Sequence, residues 1–163
     1  MKDYKEKAKR IIQKNIYMAI ATASVNGKPW ISPVFFAFDE NYNLFWVSNK
    51  DSLHSNLVRS NPQAAIVVFD SSVPEGEGQG VYFEVNVEEL NNEQEINHAM
   101  EVLDKRVTKD EFRVKKIEEV TNEGVWRIYK AIPVKISVLT SGEFINGQYV
   151  DKRVEVDLMN NSS

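Results

Sequence analysis

The chain of 163 residues has no cysteine and only two histidines, His54 and His98. Disulfides, thiolate nucleophiles and cysteine-bound metal are therefore excluded, and an all-histidine zinc site would be short of ligands. Basic residues are not in excess: 20 Lys and Arg stand against 24 Asp and Glu, a formal net charge of −4. The two signs are interspersed, and nothing forms the basic stripe that a nucleic-acid surface needs, so no nucleic-acid partner is expected. No apolar run approaches the roughly 20 residues of a membrane-spanning helix. The N-terminus reads as a charged amphipathic segment rather than a signal peptide, and no membrane association is expected. A cytoplasmic location is the default expectation. Catalytic signatures are missing as well. Gly76-Glu77-Gly78-Gln79-Gly80 lacks the strand-turn-helix setting of a phosphate loop, and no nucleophile elbow occurs. Any redox or transfer chemistry is expected to belong to a bound cofactor.

What is present is an ordinary globular composition, 42% hydrophobic. The length suits one domain, expected over 1–158, with residues 159–163 as a disordered tail. Tyr4, Ala8, Ile11 and Ile12 recur at helical spacing and predict a helix over 3–15. A strand is expected from Tyr17 to Ser24. Asn26-Gly27 then signals a type I′ hairpin, which leads into a returning strand from about Lys28 to Phe38. Asp39 to Asn43 reads as a polar turn, followed by the strand Leu44 to Val47. The almost wholly apolar Ala64 to Phe69 is expected to be a strand buried on both faces. Ser71 to Gly80, with Pro74 and three glycines, reads as a mobile loop, and Val81 to Leu90 as a long strand.

A helical insertion is expected near 93–120. Asn92 and Glu95 resemble a capping box ahead of Ile96, Ala99, Met100, Leu103 and Val107. Thr108 and Glu111 suggest a second cap opening a short helix from Phe112 to Val120. Two strands, Val125 to Tyr129 and Ile132 to Leu139, are expected on either side of a kink at Pro133. Asn146-Gly147 marks a last hairpin. The tally predicts a mainly β fold with peripheral helices, a six- to eight-stranded antiparallel barrel. Strand-helix-strand alternation does not persist, which argues against a doubly wound parallel sheet.

One stretch gathers candidate chemistry. From Val47 to Leu57 a strand meets a polar elbow, and Asp51 or Ser52 is placed to cap the helix that follows. Hydroxyls, Lys50 and His54 at a helix N-terminus can hold a phosphate, because free amides and the dipole both favour an anion. The same residues also suit an ordinary capped connection. His98, beside Asn97 and Glu101, reads as a surface histidine. Trp30, Phe35, Phe36, Phe38 and Trp46 read mainly as packing.

The order of segments resembles the FMN-binding split barrels related to pyridoxamine 5′-phosphate oxidase. The resemblance spans roughly Ile16 to Leu139. It rests on Lys28-Pro29-Trp30-Ile31-Ser32-Pro33-Val34-Phe35-Phe36, Leu44-Phe45-Trp46-Val47-Ser48 and Ser52-Leu53-His54-Ser55-Asn56-Leu57. Asn61-Pro62-Gln63-Ala64-Ala65-Ile66, Val81-Tyr82-Phe83-Glu84 and Trp126 to Pro133 follow in the family's order.

The resemblance implies a split β-barrel homodimer with FMN at the subunit interface. It would place Ile31, Ser32, Pro33 and Val34 along the isoalloxazine ring, and Val47 and Ser48 against the ring and ribityl chain. Ser52 and His54 would take the phosphate, with Lys50 supplying charge where the family more often has an arginine or lysine beside the serine. Gln79 would lie at the ring edge. Two departures stand out: Val85 replaces a common glycine, and the arginine-leucine-x-proline motif of the authentic oxidase is missing from Arg153 to Leu158. The expectation is an FMN-dependent oxidoreductase acting on an unknown small-molecule substrate, not the authentic oxidase. A non-catalytic flavin-binding or sensing module is the other class considered, together with a related barrel that uses a deazaflavin or haem.

Overall fold

The computed structural model describes residues 3–140 and 142–159. Of the predicted tail only Met159 falls among them; residues 160–163 lie outside the described residues. Helix α1 (Tyr4–Lys14) starts where the Asp3 carboxylate accepts from the amides of Lys5 and Glu6. Strands β1 (Tyr17–Ala23) and β2 (Pro29–Phe35) form a hairpin. Short β3 (Ala37–Phe38) and then β4 (Leu44–Asn49) lead into α2 (Leu53–Ser60). Next come β5 (Gln63–Phe69), β6 (Gly80–Glu89) and α3 (Glu93–Asp104). The long β7 (Trp126–Leu139), the small hairpin β8 (Glu143–Ile145) and β9 (Gln148–Val150), and β10 (Arg153–Glu155) complete the order.

The fold is mainly β. One antiparallel sheet runs β2-β1-β5-β6-β7-β4-β3, with β10 added to β7. Its two edge strands, β2 and β3, are consecutive in the chain and separated only by Phe36, whose amide donates to the Ile16 carbonyl at 3.1 Å. A single segment therefore borders both edges, and the sheet curls into a half-barrel. The predicted continuous strand to Phe38 breaks at this residue because the chain must cross from one edge to the other.

Two apolar clusters divide the interior. Ala8, Ile11 and Ile12 of α1 join Ile20, Val68, Phe83 and Trp46 inside the barrel. Ile96, Ala99 and Leu103 of α3 cover Phe45 and Ile128 on the outside. As a result β4 has Leu44, Phe45 and Trp46 buried in succession, with both faces covered. The sequence instead predicts two buried faces for β5. There Ala65 and Phe69 are exposed while Ile66 and Val68 face the core, because no helix among the described residues covers that side of the sheet.

Three further expectations change. β7 is one strand, not two: the register slips between Glu84 and Val85, and the slip absorbs Val134 beside Pro133 as an extra residue. The predicted helix from Phe112 to Val120 is two 3-10 turns, Asp110–Phe112 and Ile117–Val120, and the first has no side-chain cap. Asn92 does cap α3, but Glu95 turns away to Lys130 at 3.1 Å instead of closing a reciprocal box.

The two Asn-Gly pairs form different turns. Asn146 (φ 51°) and Gly147 (φ 79°) both have the positive φ of a type I′ hairpin. At the first pair only Gly27 does (φ 82°), and Gly27 donates to the Ser24 carbonyl at 2.8 Å, giving a longer loop with glycine at a bulge.

Candidate functional site

The elbow between β4 and α2 is built by local hydrogen bonds. The Asn49 side chain accepts from the Asp51 amide at 2.8 Å, and the Ser52 amide donates to the Asn49 carbonyl at 3.1 Å. Ser52 then caps α2, its hydroxyl oxygen accepting from the Ser55 amide. Of the two candidate caps, Ser52 takes the role and Asp51 stays exposed.

The His54 ring folds back over this turn. Its Nε2 lies 2.8 Å from Ser48 Oγ and 3.2 Å from Ser52 Oγ. Ser52 Oγ in turn donates to Ser55 Oγ at 2.8 Å. Burial disfavours the imidazolium and lowers the pKa of His54 from its ordinary value. The structure thus brings Ser48, Ser52 and His54 together at the N-terminus of an eight-residue helix. Val47 precedes them on β4, half-buried. Lys50 has its backbone held from both sides: its amide donates to the Val125 carbonyl at 2.9 Å, and its carbonyl accepts from Arg59 Nη2 at 2.5 Å.

Arg59, near the end of α2, was not legible as a site residue. Its Nη1 donates to Glu89 Oε2 at 2.7 Å and to the Tyr129 hydroxyl at 3.1 Å, and its Nη2 also reaches Asn56 Oδ1. The Tyr129 hydroxyl donates to Glu89 Oε2 at 2.9 Å. Burial, with the Glu89 carboxylate beside it, pushes the Tyr129 pKa up to about 12, so the hydroxyl keeps its proton. Glu89 also lies 3.6 Å from Arg127 Nε. The only sequence signal for Arg59 was a basic residue about two helical turns beyond the cap. Its partners on β6 and β7 are remote in the chain.

The remaining predicted residues divide. On β2, Ser32 and Val34 point inward, and Ser32 Oγ accepts from Trp30 Nε1 at 3.0 Å. Ile31 and Pro33 point outward and are exposed. β2 as a strand contacts both β4 and α2. Gln79 does not join them. It precedes β6, whose start pairs with β7 at Val138, whereas the elbow end of β4 pairs with β7 at Arg127. At about 3.3 Å per residue those positions are roughly 35 Å apart along a straight strand.

Two clefts of the single chain do not include Ser48, Ser52 or His54. One of about 220 Å³ is lined by Asp39, Phe45, Gln94, Glu95, His98 and Lys130. There His98 Nε2 is 3.7 Å from Asp39 Oδ2, and the ring stands edge-on to Phe45. The other, about 560 Å³, carries Glu89, Glu93 and Glu118 with Arg127, walls that repel a phosphate more than they attract one. Among the described residues, no group of three His, Asp or Glu side chains could hold a metal ion, and no helix is long and apolar enough to cross a membrane.

Solved structures of several kinds share the fold. A candidate 5-nitroimidazole antibiotic resistance protein from Bacteroides thetaiotaomicron has 16% identity and a TM-score of 0.68, with 85% of this chain and 84% of that one covered. HutZ, a haem storage protein from Vibrio cholerae, has 15% identity and a TM-score of 0.63, over 78% and 88%. A FAD-binding protein from Mesorhizobium loti has 18% identity and a TM-score of 0.60, over 82% and 91%. No curated protein matches the sequence. The family model described as pyridoxamine 5′-phosphate oxidase matches residues 4–129, from α1 through Tyr129 of β7. With that match extending over most of the half-barrel and the elbow, the chain belongs to the pyridoxamine 5′-phosphate oxidase family.

Proposed function

We propose that this protein binds FMN and acts as an oxidoreductase on a small-molecule substrate, as a homodimer with the flavin at the subunit interface. The observation that carries the reading is the convergence of Ser48, Ser52 and His54 at the N-terminus of α2. Two hydroxyls within hydrogen-bond reach of one imidazole suit a phosphate. On binding, the anion would exchange their mutual bonds for bonds to its own oxygens, and Lys50 would add charge from the rim. Ile31, Ser32, Pro33, Val34 and Val47 would then lie along the ring. A bound flavin supplies the capacity to accept a hydride or electrons; the chain's own residues bind it, orient it and exclude water.

Two observations favour a site completed by a second copy. Neither of the two clefts described includes Ser48, Ser52 or His54, and Gln79 lies at the far end of β6 and β7. The uncovered side of β2-β1-β5 also offers outward rows of apolar residues: Phe35 beside Tyr17, Pro33–Ala19–Val67 and Ile31–Ala21–Ala65. An exposed apolar face of this kind fits an isologous dimer contact. The reading takes residues 1–158 as one unit of a cytoplasmic protein.

Mass spectrometry of the ligand carried through purification is the test. A yellow protein that releases FMN on denaturation supports the reading, and a colourless one that ignores added FMN sinks it. Bleaching by NADH or NADPH without oxygen separates an enzyme from a passive flavin-binding or sensing module. Haem is the second reading, favoured by the fold shared with a haem storage protein. It needs His54 or His98 as the histidine ligand, so a haem mass with loss of the Soret band in one of the two alanine variants would replace FMN with haem. A deazaflavin would be read directly from the ligand mass.

A further inference from the structure

The β8–β9 hairpin is the part of the chain that the half-barrel does not use. It forms a two-stranded sheet of its own, and its strands pack chiefly against each other. It is nevertheless a well-specified element. Its type I′ turn has positive φ at both Asn146 and Gly147, Phe144 and Tyr149 meet edge-on at 5.4 Å, and Lys152 bridges Glu143 at 2.9 Å.

A lone two-stranded hairpin is only marginally stable in water unless one of its faces is covered. The pairing Phe144↔Tyr149 sets two aromatic rings alone on one face, while the alternate positions put Ile145 and Val150 with Glu143 and Gln148 on the other. Phe144 is 75% exposed and Tyr149 59%.

The hairpin's position ties it to the uncovered face of the sheet. It leaves the sheet beyond Leu139 and returns at Arg153, and these two residues pair. The neighbouring strand there begins at Gly80, which pairs with exposed Phe69, and Tyr17 stands at the same end of β1. Arg153, just past the hairpin, stacks its guanidinium 4.1 Å over the Tyr82 ring, and Tyr82 pairs with outward-facing Val67. The base of the hairpin thus continues the outer side of the sheet.

Area decides the occupant. A stable contact covers roughly 800 Å² on each partner. With an aromatic side chain worth about 150–250 Å², the exposed Tyr17, Ile31 and Phe69 offer on the order of 300 Å². The four apolar hairpin side chains offer a similar area, and only the two sets together approach the requirement.

We propose that the β8–β9 hairpin is an arm that clasps a second copy of this chain, its aromatic face covered by the partner's outer sheet. The proposal rests on the homodimer reading. Sedimentation velocity across a dilution series tests it, comparing the unaltered protein with Phe144→Ser/Tyr149→Ser. The double variant is expected to raise the dimer dissociation constant at least about tenfold with an unchanged circular dichroism spectrum. An unaltered protein that is monomeric at every concentration sinks the homodimer and the arm together. A dimer whose dissociation constant the variant leaves unchanged overturns the arm alone. Hydrogen exchange on the unaltered protein needs no variant. Amides in 143–150 should exchange several-fold more slowly at dimeric concentrations than after dilution to monomer, and equal rates overturn the arm.

Discussion

His54 Nε2 lies 2.8 Å from Ser48 Oγ, so the end of β4 and the first turn of α2 are joined side chain to side chain. With Ser52 Oγ 3.2 Å from the same nitrogen, the elbow satisfies its own polar groups when no anion is present. A ligand phosphate must replace these bonds, and that competition makes the site testable.

Ser52→Ala and His54→Ala should each weaken FMN binding by about 1–3 kcal/mol, the range for loss of a charge-assisted hydrogen bond. Ser52→Ala should also lower stability by about 1 kcal/mol, since it removes the cap of α2. Fluorescence titration of FMN gives the first quantity and urea denaturation the second. Unchanged titrations for both variants would mean that the phosphate binds elsewhere.

Acidification should destabilise the ligand-free protein through His54. Its pKa is lowered by burial from the ordinary 6.5, so as pH falls through that value the unfolded chain takes up a proton before the folded one. Stability rises with pH wherever the unfolded state holds more protons, and it is therefore lost as pH drops. A bound phosphate reverses the preference by favouring the imidazolium, so FMN affinity should rise as pH is lowered from about 8 to about 6.5. His54→Gln should flatten both trends. Thermal denaturation and FMN titration at several pH values measure them, and parallel profiles for the two proteins would exclude His54 as the titrating group.

Arg59→Lys should fail to rescue Arg59→Ala. The guanidinium spans Glu89 and Tyr129 with one nitrogen and the Lys50 carbonyl with the other, a fork that an ammonium cannot reproduce. Both variants should lose about 1–2 kcal/mol, a figure that allows for the side chain's partial exposure, and both should weaken FMN binding because Lys50 is released. A lower urea midpoint at constant slope is the expected readout. Full recovery in the lysine variant would reduce Arg59 to a general charge.

Gly124→Ala should destabilise by about 1–3 kcal/mol, the usual cost of forcing atoms into filled space. A Cβ there would sit 2.5 Å from the Glu119 carbonyl oxygen and 2.6 Å from that of Glu118. Both are backbone atoms and cannot swing aside. The displaced turn includes the Gly124 and Asn122 carbonyls, each accepting from Arg127 at 2.7 Å. A wild-type melting temperature would show that the 3-10 turn before β7 yields easily.

The parts of this protein legible in the sequence are those decided between near neighbours in the chain. Asp3 and the stripe of Ala8, Ile11 and Ile12 specify α1, a two-residue Asn146-Gly147 loop specifies its turn, and Ser52 caps the helix that carries His54. The order of segments was legible too, and with it the family. Tertiary structure alone decided which apolar strand is covered. Ala64 to Phe69 and Leu44 to Val47 are both apolar runs, but α3 packs over Phe45 while, among the described residues, no helix packs over Ala65 and Phe69. It also decided that Arg59 meets Glu89 and Tyr129, and that Gln79 stands apart from the elbow. Burial of a face depends on which element lies against it, and that element comes from the far side of the chain, where no local pattern can record it.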